Sequence, residues 1–269
     1  MFDIRGLRVV VTGGGGVLCG AMARGLATLG AHVAVVDLIE EKAQAVADDI
    51  VAAGGETFAV ACDATVPDSI SALRDAVLAR WGTVDALVNG AGGNHPKATT
   101  TPEMPFFALA PDAFRQVFDT NFFGTLLASQ AFGEVMARQG RGAIVNIASM
   151  NAIRPLTRIP AYSSAKAAVA NLTQWLAVYM AQEYSPDIRV NAIAPGFFLT
   201  EQTRYLHIDP QTGAYTARGQ QIVAHTPAGR MGSPDELLST LVWLICPGSS
   251  FVTGIVVPVD GGFSAYSGV

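Results

Sequence analysis

The sequence is short of charged residues, and this limits what the protein can be. Only 14% of its 269 residues are charged, against about 25% in a typical soluble domain. Hydrophobic residues make up 50% of the sequence and its mean hydropathy is +0.35. This composition excludes intrinsic disorder. It also predicts that the protein buries more surface than a monomer does, by associating with copies of itself.

The sequence also lacks basic tracts, long apolar runs and paired cysteines. The net charge is −5, and no basic stretch could follow a phosphate backbone, so no nucleic acid partner is expected. No apolar run approaches the roughly 18 to 20 residues that cross a bilayer, and no signal peptide or membrane anchor is expected. Cys19, Cys62 and Cys246 are odd in number and widely spaced in apolar surroundings. They predict buried thiols, no metal site and a cytoplasmic location.

Short apolar, β-branched runs alternate with longer segments of helical period along the whole sequence. Runs that are apolar on both faces are typical of buried parallel strands. The order predicts an α/β fold: one Rossmann-type domain over 1–269, with a doubly wound parallel sheet of about seven strands flanked by helices. The predicted strands are 7–12, 32–37, 57–63, 85–90, 142–149, 188–194 and 254–260. The predicted helices are 18–29, 40–53, 68–81, 113–138, 162–183 and 234–246.

Two irregular stretches interrupt this alternation, at 92–111 and 197–230. The first is rich in Thr and Pro, and the second in polar and aromatic residues. Both follow strand ends, and open α/β sheets bind ligands beyond the carboxyl ends of their strands. We therefore expect these two loops to form the walls and lid of a substrate pocket.

The turn after the first predicted strand reads TGGGGVLCG, from Thr12 to Gly20. A glycine-rich turn between a strand and a helix brings backbone N–H groups close to a pyrophosphate, which the helix N-terminus also attracts. The spacing does not match G-x-G-x-x-G in any register. The turn alone is therefore equally consistent with a dinucleotide site and with a plain tight turn.

An acidic residue at the end of the second strand favours the dinucleotide. Asp37 lies 24 residues after Gly13, near the spacing of about 20 expected for the acid that hydrogen-bonds the adenosine ribose. A carboxylate there repels a 2′-phosphate, which predicts NAD in preference to NADP. Asp63, at the end of the third strand, is placed to meet the adenine. Either carboxylate could instead cap the following segment.

With these residues, the sequence resembles the short-chain dehydrogenase/reductase family over essentially its whole length. The matches occur in the family's order: the Thr12-Gly13 turn, Asp37, Asp63, Asn89-Gly90-Ala91-Gly92 (where the family usually has N-N-A-G), Asn121-Phe122-Phe123-Gly124, Ser149, Tyr162 to Lys166, and Pro195-Gly196 with Thr200. The resemblance implies a tetramer. With the glycine turn, it also implies dinucleotide contacts at Gly13, Gly14, Gly16, Val17, Leu18, Asp37, Asp63, Ala64, Asn89, Gly90, Ala91, Tyr162, Lys166, Pro195, Gly196, Phe198 and Thr200.

The sequence differs from the family pattern in its glycine turn. Val17 and Cys19 occupy the second and third glycine positions of T-G-x-x-x-G-x-G. Together with the segments LVNGAGGNHPKATT, SMNAIRPLTRIPAYSSAKAA, PGFFLTEQ and VDGGFSAYSGV, this difference resembles a narrower branch of the same family, the D-mannonate oxidoreductases or fructuronate reductases. That branch interconverts D-mannonate and D-fructuronate.

The Tyr162–Lys166 pair is the candidate acid–base centre. A free phenol ionises near pH 10, so it is a poor base at neutral pH. Lys166 lies four residues later, on the same face of a predicted helix. A cation about 6 Å away, in an effective dielectric of about 20, is expected to lower the phenol pKa by about two units. Without further partners, a Tyr and a Lys at this spacing are more often a surface pair.

Two further polar residues complete the predicted catalytic group. Ser149 lies at the C-terminal end of the fifth predicted strand and is expected to hydrogen-bond the substrate oxygen as its charge develops. The resemblance implies that Asn121 holds a water in a proton relay from Lys166, and that Lys166 contacts the nicotinamide ribose.

A sugar acid is the expected substrate, because its carboxylate and hydroxyls require a cation and several amides. The predicted substrate contacts are Asn94, His95, Lys97, Asn151, Arg154 and Arg204. Arg158, Gln202 and Tyr205 belong to the same polar set, whereas His207 and His225 are expected on the surface or in loops. Arg154 and Arg158 could instead contact a neighbouring subunit. The alternatives are a reductase of another polyol, gluconate or 3-oxoacyl substrate, and an inactive NAD-binding scaffold.

Overall fold

A computed structural model describes residues 2–200, 204 and 206–268 of the protein. Its centre is one parallel sheet of seven strands in the order β3-β2-β1-β4-β5-β6-β7, a doubly wound α/β fold in a single domain. The strands are β1 Arg8–Thr12, β2 His32–Asp37, β3 Thr57–Ala61, β4 Ala86–Asn89, β5 Gly142–Ile147, β6 Ile188–Pro195 and β7 Val256–Val259.

Helices cover both faces of the sheet, as right-handed crossovers between parallel strands require. They are α1 Val17–Thr28, α2 Glu40–Ala52, α3 Pro67–Trp81, α4 Pro111–Phe118, α5 Gly124–Gln139, α6 Pro160–Glu183, α7 Ala217–Ala224 and α8 Leu238–Ile245. Pro stands in the first turn of α3, α4 and α6, where its missing N–H costs nothing.

Two hydrophobic clusters lie on opposite faces of the sheet. Alternate residues of β1 divide between them: Val9 and Val11 belong to one, and Val10 belongs to the other. All three are fully buried. This two-sided burial is why the strands read as uninterrupted apolar runs in the sequence.

The helix predicted over 113–138 is confirmed as continuous helical backbone, but a π-turn that was not predicted interrupts its α-helical hydrogen bonds. Helix α4 ends at Phe118, and Asp119–Phe123 forms a π-helical turn before α5 begins at Gly124. A π-turn inserts one extra residue and redirects the side chains within it. Here it carries Asn121, which is fully buried.

The carboxyl ends of the strands share one edge, and the predicted site residues follow them there. Thr12, Asp37 and Asn89 end β1, β2 and β4, and Ser149 comes two residues after β5. Among the described residues, no helix is long and apolar enough to cross a membrane. Across those same ranges, no three His, Cys, Asp or Glu side chains group as a metal site would require.

Candidate active site

Tyr162 and Lys166 lie on the same face of α6, one turn apart. The Lys166 Nζ lies 5.7 Å from the centroid of the Tyr162 ring. Lys166 is buried, and its ammonium donates a hydrogen bond of 2.6 Å to the carbonyl of Ile147, the last residue of β5. The end of β5 therefore fixes the lysine beneath the phenol.

Ser149 joins this pair from the segment after β5. Its hydroxyl forms a hydrogen bond with Tyr162, which by itself lowers the phenol pKa. The Ser149 Oγ also accepts hydrogen bonds from the Asn151 backbone N–H at 3.2 Å and from the Asn151 side-chain amide at 3.1 Å. Both Ser149 and Asn151 are buried.

Asn121 reaches the same site from the π-turn. Its side-chain amide donates to the carbonyls of Gly93 and Val117 at 2.6 and 2.7 Å, and its Oδ1 accepts from the Gly93 N–H at 3.2 Å. A Cβ on Gly92 would lie 2.6 Å from the Asn121 Oδ1 and 3.3 Å from the Lys166 Nζ. Asn121 and Lys166 therefore approach the same glycine, and only glycine leaves room for both.

Burial dominates the electrostatics of the pair, and the expected lowering of the Tyr162 pKa is wrong. The pKa of Tyr162 is raised, because desolvation of the phenolate outweighs the hydrogen bond from Ser149. The pKa of Lys166 falls to about 8 because its ammonium is buried. The shared helix face anticipated from the helix period is confirmed, but the loss of solvent outweighs the stabilisation of the phenolate that was expected from Lys166.

The glycine turn forms a cradle that fits a pyrophosphate. Gly13 has a φ of +65°, and a Cβ there would lie 2.6 Å from the Gly90 carbonyl oxygen. Helix α1 begins at Val17 with no acidic residue in its first turn and no side-chain cap at Gly16. Its free N–H groups and positive end are therefore available to an anion, and the residues present fit a dinucleotide.

Asp37 and Asp63 both make local contacts at the ends of their strands. The Asp37 carboxylate accepts from the Gly15 N–H at 3.1 Å and from the Ile39 N–H at 3.1 Å, which ties β2 to the glycine turn. The Asp63 Oδ1 accepts from the backbone N–H and the hydroxyl of Thr65. Asp63 thus stabilises its own turn, while Asp37 borders the cradle.

Two other residues predicted at the dinucleotide, Asn89 and Phe198, have buried side chains. The Asn89 side chain is buried and donates to Ser129 and Asn146. The Phe198 ring packs in the hydrophobic core. The remaining positions line the same edge of the sheet, around the turns after β1, β3, β4 and β6: Gly13, Gly14, Gly16, Val17, Leu18, Ala64, Gly90, Ala91, Pro195, Gly196 and Thr200.

The predicted substrate residues lie on three segments. In the first, Asn94 donates to Thr99 at 2.8 Å, the His95 Nδ1 accepts from the Lys97 N–H at 3.1 Å, and the Lys97 side chain is exposed. After β5, the exposed Arg154 donates to the Tyr266 carbonyl at 3.1 Å, a contact within its own subunit. Arg204 and Arg158 are exposed, whereas Gln202 and Tyr205 lie outside the described residues.

The C-terminal segment 260–266 also reaches the site, a placement that is not among the sequence-based expectations. A Cβ on Gly196 would lie 2.5 Å from that of Asp260, so the segment packs directly against the turn after β6. Phe263 contacts Phe197, with ring centroids 5.3 Å apart. The signal that could have revealed it is the pair Gly261-Gly262, both at positive φ, which turns the backbone back after β7.

The surface placement expected for His207 is also wrong. His207 is 5% exposed and packs edge-on against Phe197. Burial lowers its pKa, and the charge of Arg218 lowers it further. His225 lies beside Phe263 and Tyr266, and Phe263 in turn contacts Phe197, so both histidines belong to one group of packed rings.

Comparison with known proteins gives matches over nearly the whole sequence. A family model described as enoyl-(acyl carrier protein) reductase matches residues 18–264. The uncharacterized oxidoreductase UxuB of Bacillus subtilis (strain 168) is 49% identical over 276 residues, covering 99% of this chain and 98% of the relative.

Solved structures give the same result. The crystal structure of a proposed D-mannonate oxidoreductase from Haemophilus influenza, with bound NAD, is 44% identical with a TM-score of 0.93, covering 99% of this chain and 98% of that one. A gluconate 5-dehydrogenase from Burkholderia cenocepacia, in complex with NADP and tartrate, is 32% identical with a TM-score of 0.87, and 98% of each chain is covered. Fold, site geometry and these matches agree: the protein belongs to the short-chain dehydrogenase/reductase family, and it is an oxidoreductase that acts on CH–OH groups.

Proposed function

We propose that the protein is an NAD-dependent oxidoreductase that interconverts D-mannonate and D-fructuronate. The observation that carries the chemistry is the convergence of Ser149, Tyr162, Lys166 and Asn121 at the carboxyl edge of the sheet. The sugar-acid substrate is supported by the exposed cations on the surrounding loops and by the 44% identity to the proposed D-mannonate oxidoreductase.

The residues of this protein can move one proton to or from the substrate oxygen. A bound nicotinamide supplies or accepts the hydride. During reduction, the Tyr162 hydroxyl donates its proton to the oxygen that becomes the alcohol, and Ser149 hydrogen-bonds the same oxygen. Lys166 stabilises the phenolate left behind, and the buried site excludes water from the reacting atoms.

NAD is proposed as the cofactor because of Asp37. Its carboxylate borders the cradle at the end of β2, where a 2′-phosphate would be repelled. Replacing Asp37 by Ser should raise the KM for NADH and lower the KM for NADPH, with kcat changed less. An unchanged ratio of the two KM values would show that another residue sets the preference.

The substrate carboxylate is proposed to pair with at least one of Lys97, Arg154 and Arg204. All three are exposed on the segments that surround the site. A charged pair of this kind contributes about 1.5 to 3 kcal/mol, so the Met variant of the pairing residue should raise the KM for D-mannonate by at least tenfold. Full activity in all three single Met variants would remove this assignment.

A substrate panel tests the proposed reaction. NADH oxidation should be fastest with D-fructuronate, compared with tagaturonate, 5-ketogluconate and a 3-oxoacyl thioester, and slower when NADPH replaces NADH. The main alternative is a gluconate reductase, favoured by the likeness to the gluconate 5-dehydrogenase. Preference for 5-ketogluconate would select it.

The third possibility, an inactive scaffold, predicts no turnover of any carbonyl and no effect of replacing Tyr162 by Phe. The paired geometry of Tyr162 and Lys166 supports an active enzyme, because burying a lysine costs stability that a scaffold does not need.

We also propose that the protein forms a tetramer, and that it works in the cytoplasm. Exposed apolar residues on α6 and at Phe251 support the association. The three cysteines are free and buried, which supports a reducing compartment.

A further inference from the structure

The segment after β5 contains a buried series of hydrogen bonds that ends on Ser149. Asn151 lies at its centre, and Ser149, Asn151 and Ser163 are each 6% exposed. The Asn151 Oδ1 accepts from the Leu156 backbone N–H and from the Ser163 hydroxyl, both at 3.0 Å. The Asn151 side-chain nitrogen donates to the Ser149 Oγ at 3.1 Å.

The donors in this series fix its direction. A backbone N–H can only donate, so the atom of the Asn151 amide that faces Leu156 has to be the oxygen. The NH₂ group therefore faces Ser149. The amide cannot flip without placing two donors against each other at Leu156.

This direction in turn fixes the proton of Ser149. A serine hydroxyl has two acceptor lone pairs and one proton. The side-chain amide and the backbone N–H of Asn151 both donate to the Ser149 Oγ, at 3.1 and 3.2 Å. With both lone pairs engaged, the Ser149 proton is left to point toward Tyr162 and the reacting oxygen.

We propose that Asn151 is a positioning residue that makes Ser149 a hydrogen-bond donor to the reacting oxygen, in place of the direct substrate contact expected from the sequence. This inference rests on the oxidoreductase activity proposed above. The Leu156 N–H fixes the orientation of the Asn151 amide, and the amide fixes the direction of the Ser149 O–H bond. Ser149 therefore donates a hydrogen bond where negative charge develops.

Replacing Asn151 by Asp or by Ala separates polarity from shape. Asp has nearly the same shape as Asn and keeps the bonds from Leu156 and Ser163, but its second oxygen draws the Ser149 proton away from the substrate. Ala leaves one backbone donor on Ser149 and lets its proton rotate freely. We expect Asn151→Asp to lower kcat about 100-fold and Asn151→Ala about tenfold, with the KM for NADH within about twofold.

Lowering the pH should partly restore the Asp variant in the direction of carbonyl reduction. Burial raises the pKa of the introduced carboxyl. Once protonated, it can donate to the Ser149 Oγ as the amide does. The wild type and the Ala variant should show no such gain. Gln44→Glu, the same amide-to-acid change at an exposed position of α2, is the matched control and should not alter kcat.

A double-mutant cycle tests whether Asn151 acts through Ser149. In a Ser149→Ala background, Asn151→Ala should cause little further loss of kcat. A structural role predicts the opposite pattern: Ala more harmful than Asp, no pH rescue, and losses that add to that of Ser149→Ala. Any of these results overturns the proposal, and the Ala variant keeps the test available if the Asp variant does not fold.

The test does not depend on D-fructuronate being the substrate. The variants are compared on whichever carbonyl the wild type reduces fastest, so a failed sugar-acid assignment leaves the comparison intact. If no carbonyl is reduced, the variants are compared by ultraviolet titration of the Tyr162 phenol. The signal of Tyr162 is the difference between each protein and the same protein with Tyr162→Phe. Asn151→Asp should raise the pH of ionisation, since the phenolate loses the Ser149 donor. An unchanged titration overturns the proposal.

Discussion

At the scale of single residues, burying the ammonium of Lys166 in the site lowers the stability of the folded protein. Its pKa falls from 10.5 to about 8 on folding, so the charged form costs about 3 kcal/mol at neutral pH. Between about pH 8 and 10.5 the unfolded protein holds the extra proton. The free energy of unfolding contributed by Lys166 therefore rises with pH across this window and is lowest below it.

Replacing Lys166 by Met should therefore stabilise the protein at pH 7 and abolish activity. The gain should shrink as the pH approaches 10, because the native lysine is then neutral. Urea unfolding of wild type and variant at several pH values measures this difference. Lys97→Met, which replaces an exposed lysine, is the control and should leave the pH dependence of the free energy of unfolding unchanged. A Lys166→Met difference that stays constant with pH would contradict the buried-ammonium interpretation.

The raised pKa of Tyr162 gives the enzyme a preferred direction at neutral pH. Reduction needs the neutral phenol and oxidation needs the phenolate. Because burial keeps the phenol protonated, kcat for reduction should be nearly flat between about pH 6 and 8, whereas kcat for oxidation should rise with pH through that range. Steady-state rates in both directions measure this, and an oxidation rate that is flat over the same range would be inconsistent with a raised pKa.

At the scale of elements, two departures from the family pattern compensate each other between α1 and the turn after β4. Cys19 stands where the family has glycine, and Gly90 stands where it usually has Asn. A Cβ on Gly90 would lie 2.1 Å from the Cys19 Sγ. The thiol of α1 therefore fills the space that a side chain after β4 would otherwise take.

Gly90→Ala should lower the free energy of unfolding by about 1 to 3 kcal/mol through overpacking. Adding Cys19→Ala should recover part of this loss, but not all, because the new methyl also lies 2.8 Å from the Thr12 carbonyl oxygen. Thermal unfolding of the single and double variants measures the coupling. Gly93→Ala is the matched control, since a Cβ there meets nothing within 4 Å. Strictly additive effects would exclude the compensation.

The strands and most helices could be predicted from the sequence, because burial on both faces gives parallel strands a plain apolar signature. The Tyr162–Lys166 spacing likewise followed from the helix period. The π-turn around Asn121 could not be predicted, because its extra residue is stabilised by contacts to Gly93 and Val117 that no local pattern reveals. Nor could the sign of the Tyr162 pKa shift, since it depends on how deeply the folded site excludes water.

At the scale of the whole molecule, the low charge of the protein agrees with exposed apolar residues at two positions, on α6 and in the segment before β7. On α6, Trp175 and Tyr179 stack with ring centroids 4.9 Å apart, and Trp175 and Val178 are 59% and 57% exposed. Phe251, between α8 and β7, is fully exposed. The contiguous aromatic surface on α6 is of the kind that marks an interaction site, and Phe251 is a single exposed ring at a second position. Two different self-complementary surfaces are what a tetramer of D2 symmetry requires.

The two surfaces should therefore be separable by mutation. Trp175→Glu should convert the proposed tetramer to dimers joined through Phe251, and Phe251→Glu should give dimers joined through α6. The double variant should be monomeric, because a charge buried without a partner in either interface costs more than the contact gains. Sedimentation velocity at micromolar concentration measures the three states, with Val51→Glu on α2, at a residue 61% exposed in the subunit, as the control that remains tetrameric. A wild type that sediments as a monomer would refute the association itself, whereas a monomer from either single variant would mean that the two surfaces form one interface.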